Sequence, residues 1–189
     1  MSTFLVAYGT SEGQTEKIAE RVVATLTDRG HDASARDVAT LPAAFDLEGF
    51  DAVVVGSSIH LGKQQDSVVA FVERQREDLR TRPTAFFQVS LSSAVDNEAR
   101  QAEAAQYVED FVAATEWHPD RIALFGGALR YSQFGFLKRL MLKRIARDAT
   151  GDTDTARDYE YTDWDEVDAF TNDFAAFVEG RLGVSPDTS

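Results

Sequence analysis

The chain has 189 residues, 43% of them hydrophobic, which is enough for a domain with a buried core. Its net charge of -13 argues against nucleic-acid binding, and the absence of Cys excludes disulfides and thiolate metal sites. The three His are too scattered to predict a metal site. Neither a basic leader with an apolar run nor an apolar stretch of about 18 residues occurs, so we expect a cytoplasmic protein without a membrane span.

Apolar runs alternate with amphipathic stretches along most of the chain. Predicted strands cover residues 3–8, 33–38, 52–56, 84–90 and 122–126, and predicted helices cover residues 14–29, 66–80, 97–116 and 163–181. Thr162 opens a predicted capping box before the last helix. The alternation predicts an α/β fold with a doubly wound parallel sheet. We expect one domain over residues 1–183 and a frayed tail at residues 184–189.

The turn between the first predicted strand and helix is rich in hydroxyl groups around one glycine. Its sequence is Thr10-Ser11-Glu12-Gly13-Gln14-Thr15. The backbone N–H groups of such a turn, together with a helix N-terminus, can bind a phosphate. The turn has neither the GxxxxGK[ST] nor the GxGxxG pattern, and without a Lys it suits the monophosphate of flavin mononucleotide (FMN). The alternative interpretation is an ordinary helix start with Thr10 or Ser11 as the N-cap.

This turn resembles the phosphate loop of the flavodoxin family, with Glu12 in place of a small hydroxyl residue. The resemblance implies a five-stranded sheet of order 2-1-3-4-5, whose ligand lies beyond the carboxyl ends of the first and third strands. At that edge, the third predicted strand runs into residues 56–62 and the fourth into residues 90–93. Both segments are small, polar and flexible, and they are either flavin-contacting loops or simple turns. The candidate FMN-binding residues are Thr10, Ser11, Glu12, Gly13, Gln14, Thr15, Ser57, Ser58, Ile59, His60, Gly62, Ser90, Leu91, Ser92, Ser93 and Gly127.

A basic stretch interrupts the acidic sequence. Residues 121–147 contain seven of the 19 basic residues and none of the 32 acidic ones. Part of the stretch is basic and amphipathic at helical spacing, which predicts a membrane-surface helix; the alternatives are a helix that covers the sheet and a docking site for a carboxylated substrate. It lies in an insertion at about residues 128–162. Candidate substrate or membrane contacts are Arg130, Tyr131, Lys138, Arg139, Lys143 and Arg144.

Motifs around this insertion make the resemblance more specific. They are similar to those of the menaquinone-dependent protoporphyrinogen IX dehydrogenase family, and they read Gly127-Ala128-Leu129-Arg130-Tyr131, Gly151-Asp152-Thr153-Asp154-Thr155 and Tyr161-Thr162-Asp163-Trp164. The resemblance implies an FMN enzyme that oxidises protoporphyrinogen IX in haem biosynthesis and passes electrons to a membrane quinone. A basic insertion would then bind an anionic membrane surface on the cytoplasmic face of the cell membrane.

No catalytic side chain stands out, because a flavin can carry the redox chemistry itself. His60 is the candidate for relaying protons near the flavin N5 atom, and the alternative is a solvent-facing loop His. Two other functions stay open: a soluble flavodoxin-type electron carrier for protein partners, and a non-catalytic flavin-binding module. The acidic excess, with four Lys against fifteen Arg, predicts a halophilic protein; the alternative is an acidic mesophilic one.

Overall fold

The computed structural model describes residues 1–94, 98–126, 128–129, 159–160 and 162–184. Its strands are β1 (Thr3–Gly9), β2 (Asp32–Asp37), β3 (Ala52–His60), β4 (Lys63–Gln64), β5 (Thr84–Val89), β6 (Arg121–Phe125), β7 (Ala128–Leu129) and β8 (Tyr159–Glu160). The main sheet has the order β2-β1-β3-β5-β6, with all four pairings parallel, and β4 joins it antiparallel to β3. The five parallel strands therefore have the predicted order 2-1-3-4-5, which confirms the doubly wound α/β fold.

The described residues form four α-helices, which cover both faces of the sheet. They are α1 (Gln14–Asp28), α2 (Asp66–Arg80), α3 (Glu98–Thr115) and α4 (Trp164–Leu182). Each described helix end lies within one residue of its prediction. Short 3-10 turns follow β2 at Val38–Thr40 and β5 at Leu91–Ala94. Helices α1 and α4 pack on one face, and α2 and α3 pack on the other.

Alternate side chains of each central strand enter opposite layers of the core. Phe4 and Val6 of β1 pack under α1 and α4, whereas Leu5 and Ala7 pack under α2 and α3. The central strands β1, β3 and β5 are therefore buried on both faces along most of their length, as continuous apolar runs predict. The layers are also tight: a Cβ atom at Gly56 would lie 2.1 Å from the ring of a neighbouring phenylalanine of β5. Only glycine fits at that position.

Strand β3 is longer than predicted, and the flexible loop expected at residues 56–62 is instead a β-hairpin. Residues 57–58 pair with residues 88–89 of β5, and residues 59–60 pair with residues 63–64 of β4. Leu61 and Gly62 make the two-residue turn, with φ of 51° and 78°. Two positive φ values are typical of a type I′ hairpin turn. The strand continues because residues 57–58 find partners in β5 and residues 59–60 find partners in β4, which a local apolar pattern does not reveal.

Strands β7 and β8 form a separate antiparallel pair that brings the two ends of the insertion together. The predicted basic amphipathic segment lies between them, outside the described residues. Residues 185–189 of the predicted tail and the predicted first residue of the third helix, Asn97, also lie outside. Within the described ranges, no helix is both long enough and apolar enough to cross a membrane.

Candidate functional site

Three connections follow the carboxyl ends of central strands at one edge of the sheet. They are the turn at residues 10–13 after β1, the hairpin turn after β3, and the 3-10 turn Leu91–Ala94 after β5. β1 and β3 are neighbours, and the chain proceeds from them to opposite sides of the sheet, to β2 and to β5. Such a reversal of strand order opens the ligand crevice of a doubly wound sheet. The structure therefore brings these three predicted segments to the crevice edge.

The first turn leaves the N-terminus of α1 open. Gly13 is the N-cap, with φ of 83°, and no side chain among the described residues caps the helix. Thr10 Oγ1 accepts a hydrogen bond from the Gly13 N–H at 2.9 Å, so it closes the turn and not the helix. The alternative interpretation, a helix start capped by Thr10 or Ser11, is therefore wrong. The N–H groups of the first helical turn and the helix dipole make this site suitable for an anion.

Two side chains at the start of α1 place polar atoms in the interior. Thr15 is 0% exposed and Gln14 is 3% exposed. Within the described part of the chain, neither Thr15 Oγ1 nor Gln14 Oε1 has a hydrogen-bond partner. Leaving such a group unsatisfied costs about 1–3 kcal/mol, so native proteins rarely do so without a reason. A Cβ atom placed on Gly13 would meet no atom of the described chain within 4 Å. These residues fit the phosphate and hydroxyl groups of a phosphorylated flavin.

The carboxylates of Glu12 and Glu16 lie in or next to the turn before α1. Ser11 is exposed and Glu12 is half-buried. Glu16, in the first turn of α1, accepts a hydrogen bond from the Tyr8 hydroxyl at 2.9 Å. Burial, and then this hydrogen bond, raises the pKa of Tyr8 to about 12. Tyr8 therefore keeps its proton at neutral pH and continues to hold the Glu16 carboxylate.

Two serines of β3 accept hydrogen bonds from within the hairpin. Ser57 Oγ accepts a hydrogen bond from Gln65 N at 3.1 Å, and Ser58 Oγ accepts one from Gln65 Nε2 at 2.8 Å. Both hydroxyls thus help to hold β4 against β3. Ile59 is half-buried, and His60 is exposed beside the turn. The role of His60 as a proton relay stays a prediction.

A buried chain of amides anchors this hairpin to the rest of the domain. Gln64 Nε2 on β4 donates to Gln88 Oε1 on β5 at 2.6 Å. Gln88 Nε2 in turn donates to the Ala104 carbonyl of α3 at 2.9 Å. Because both glutamines are buried, these bonds are protected from competition with water. The hairpin is therefore a fixed wall of the crevice and not a loose loop.

The turn after β5 is also closed by its own hydrogen bonds. The Ser90 and Ser93 hydroxyls lie 2.8 Å apart, and Ser93 N donates to the Ser90 carbonyl. Leu91 is half-buried, and the side chain of Ser92 is not among those described. Several further candidates lie outside the described residues, namely Gly127, Arg130, Tyr131, Lys138, Arg139, Lys143 and Arg144.

Thr162, which the sequence predicts as the start of a capping box, instead contacts the start of α1. Gln14 Nε2 donates to Thr162 Oγ1 at 2.8 Å, and the Thr162 hydroxyl donates to the Gly126 carbonyl at 3.0 Å. Thr162 is 148 residues away from Gln14 along the chain. Because sequence patterns report neighbours within a few residues, no local signal could have paired them.

The predicted capping box, with Thr162 as its first residue, is wrong. Asp163 is the N-cap of α4, and its carboxylate accepts hydrogen bonds from the N–H groups of Asp165 and Glu166. An aspartate caps a helix as well as a threonine does, and here it lies one residue later. Thr162 is thereby released from capping and can contact Gln14 at the start of α1.

Comparison with known proteins places the chain in a family. A family model described as a flavodoxin domain matches residues 5–156. The chain therefore belongs to the flavodoxin domain family, which implies a flavin cofactor. A solved flavodoxin from the domain Archaea agrees in fold, with a TM-score of 0.54 and 16% identity over 94% of this chain and 99% of that one.

Two curated relatives narrow the position within the family. The protoporphyrinogen IX dehydrogenase [quinone] of Escherichia coli (strain K12) is 33% identical, over 93% of this chain and 96% of the relative. The enzyme of that name from Leishmania major is 30% identical, over 91% of this chain and 74% of the relative. These matches confirm the resemblance to the protoporphyrinogen IX dehydrogenase branch and the expectation of an oxidoreductase.

Proposed function

We propose that the protein is an FMN-dependent oxidoreductase that oxidises protoporphyrinogen IX to protoporphyrin IX and passes the electrons to a quinone. The observation that carries the proposal is the open start of α1, where the buried Thr15 hydroxyl fits a phosphate. The relatives named for this activity align with nearly the whole chain. A flavin site and that likeness together favour an enzyme over a plain electron carrier.

The flavin would supply the electron and hydrogen transfer of the reaction when bound. The chain's own residues bind and orient it. The phosphate would be held by the first N–H groups of α1 and by the turn at Gly13. The Thr15 hydroxyl would donate a hydrogen bond to a phosphate oxygen. The hairpin after β3 and the turn after β5 would flank the ring at the same edge. Because the hairpin is anchored, it would limit the movement of the ring and of the water beside it.

The overall reaction balances with a quinone as the electron acceptor. Converting a porphyrinogen into a porphyrin removes six electrons and six protons, so three quinones become three quinols per porphyrin. One two-electron site must therefore act three times on one substrate. A substrate that stays near the site between turnovers needs anchoring groups. The basic residues of the insertion are suited to hold its carboxylates.

We also propose that the enzyme works at the cytoplasmic surface of the membrane, where its quinone is dissolved. The support is the concentration of basic residues in the stretch 121–147 of an otherwise acidic chain. The insertion that holds most of them leaves the sheet after the carboxyl end of β6, and its ends are joined by β7 and β8. It therefore starts from the crevice edge.

An anaerobic turnover assay tests the proposed activity. The FMN-loaded protein is mixed with protoporphyrinogen IX and a water-soluble menaquinone analogue, and porphyrin fluorescence and quinone absorbance are followed. We expect porphyrin formation with a quinone-to-porphyrin ratio of about three. Thr15→Val should lower the rate at limiting FMN, whereas Thr171→Val, a buried change in α4 remote from the turn, should not. A flavin-loaded protein that oxidises no porphyrinogen would contradict the proposal.

Vesicle flotation tests the membrane proposal separately. We expect the protein to float with vesicles rich in phosphatidylglycerol and not with neutral ones. Replacing Lys138, Arg139, Lys143 and Arg144 by Gln should abolish flotation. A control with the same loss of charge replaces four exposed basic residues elsewhere, namely Arg36, Lys63, Arg74 and Arg80. If the wild-type protein does not float, or if both variants behave alike, the basic insertion is not a membrane anchor.

A further inference from the structure

Thr162 links three separate segments at the crevice edge. Its hydroxyl group contacts the Gln14 side chain at the start of α1 and the Gly126 carbonyl at the end of β6. Thr162 itself lies directly before α4. The segments that meet here carry both ends of the insertion and the turn at residues 10–13, which is named the phosphate turn after its proposed role.

The donor and the acceptor of the two hydrogen bonds at Thr162 can be assigned in turn, starting from Gly126. The Gly126 carbonyl can only accept, so the Thr162 hydroxyl must give it its single proton. The Thr162 oxygen can then only accept from Gln14, which requires the Gln14 amide nitrogen to face it. The Gln14 carbonyl oxygen must therefore face away from Thr162. That oxygen is buried and meets no donor in the described part of the chain.

Among the described residues, the Thr162 hydroxyl bonds to Gln14 and Gly126 and not to a group of its own helix. Asp163 already caps α4 through its own carboxylate. The two partners of Thr162 lie 148 and 36 residues away. A Thr side chain that only supported its helix would bond to a nearby backbone group, as Thr171 does with the Val167 carbonyl.

We infer that Thr162 is a positioning residue of the flavin site, which fixes the Gln14 carboxamide so that its carbonyl oxygen accepts a hydrogen bond from a ligand hydroxyl. This inference rests on the proposed binding of FMN, whose ribityl chain carries such hydroxyls. Thr162 acts through Gln14 and does not touch the ligand. It also connects the cofactor turn to the point where the insertion returns to the domain.

Titration of the apoprotein with FMN, followed by quenching of flavin fluorescence, tests this role without any turnover. Thr162→Val keeps the side-chain shape but removes both hydrogen bonds. We expect it to weaken FMN binding about tenfold, the size of one lost hydrogen bond to a buried group. Thr162→Ser restores the hydroxyl and should bind FMN within about twofold of wild type. Thr171→Val is the matched control and should leave the affinity unchanged.

A double-mutant cycle shows whether Thr162 acts through Gln14. In a Gln14→Ala background, Thr162→Val should have less than about a twofold further effect, because the carboxamide it positions is gone. Thermal unfolding of each apoprotein is the check that every variant folds. A purely structural role would lower the unfolding temperature without changing FMN affinity.

The outcomes separate this inference from the function proposed above. If wild type binds FMN tightly and Thr162→Val binds it equally well, the positioning role is wrong while the proposed function stands. Equal weakening by Thr162→Val with and without Gln14 would also overturn it. If wild type does not bind FMN at all, both proposals fail.

Discussion

At the scale of single residues, Leu61 is held in a conformation that costs free energy. Its φ is 51°, and among the described residues only Leu61 and Glu116 combine a positive φ with a side chain other than that of glycine. An L-residue in this region costs roughly 1–2 kcal/mol. Leu61 is also 80% exposed, so no burial offsets the cost. The anchored strands on either side of the turn must impose this conformation.

We predict that Leu61→Asn stabilises the protein. Asn tolerates positive φ and is favoured before Gly in a type I′ turn, so the free energy of unfolding should rise by about 0.5–1 kcal/mol. Urea denaturation of the apoprotein measures this. Leu182→Asn is the control, since Leu182 is exposed but ends α4 in ordinary helical geometry. A variant at Leu61 that is no more stable than wild type would show that the turn is not strained.

The residues that sequence could and could not reveal differ in the range of their interactions. Gly13 and Thr15 were predicted as cofactor residues because a phosphate turn is a local pattern. Thr162 was assigned to a cap, since its partners are far away along the chain. The positive φ of Leu61 was hidden because it depends on where β4 pairs with β3. The position of the turn before α1 is therefore predictable from local sequence, and long-range hydrogen bonding is not; the cofactor role of Gly13 and Thr15 stays a prediction.

At the scale of elements, α1 and α4 are joined by charged groups as well as by the core. Arg21 makes an ion pair with Asp168, and Arg29 makes one with Glu179. Glu179 also contacts the buried His31 ring, at 3.0 Å. The hydrogen bond from Arg29 holds the pKa of Glu179 below its ordinary value of 4.5, and the one from Arg21 lowers the pKa of Asp168. Both carboxylates thus stabilise the fold in their ionised form.

The predicted consequence is a loss of stability in acid that depends on Glu179. A carboxyl group with a lowered folded pKa stabilises the protein above its ordinary value of 4.5, and the contribution is lost as the pH falls through the folded pKa. Glu179→Gln should therefore reduce the free energy of unfolding by about 1–3 kcal/mol near pH 7, because Arg29 loses a charged partner. The difference from wild type should shrink below about pH 4.

Urea denaturation across this pH range provides the check. Glu77→Gln is the matched control, because the Glu77 side chain is 78% exposed and its ion pairs should contribute less than about 1 kcal/mol. A difference between Glu179→Gln and wild type that stayed constant down to about pH 3 would mean that the ion pair is not its source.

At the scale of the whole molecule, the main electrostatic feature is the excess of negative charge. The chain has 32 acidic residues against 19 basic ones, and most described basic residues already have acidic partners. The remaining acidic groups repel one another across the surface. Salt shortens the range of this repulsion, from about 10 Å at 0.1 M to about 3 Å at 1 M. Net repulsion in the folded state should therefore decrease as salt is added.

We predict that the unfolding temperature rises by at least about 4 °C between roughly 0.1 M and 2 M KCl, which corresponds to about 1 kcal/mol or more. Calorimetry measures this. A control variant with less repulsion should depend less on salt; it replaces four exposed acidic residues by amides, namely Glu20, Asp32, Glu73 and Glu109. A melting temperature that is flat or falls with KCl would contradict the halophilic interpretation.

The phosphate turn is tested most directly by comparing FMN with riboflavin, which lacks only the phosphate. The apoprotein is titrated with each flavin, for wild type and for Thr15→Val. If the turn binds the phosphate, wild type should prefer FMN by at least about 100-fold, as two charge-assisted hydrogen bonds would give, and Thr15→Val should reduce this preference. Equal affinity of the wild-type protein for both flavins would show that the start of α1 is not the phosphate site.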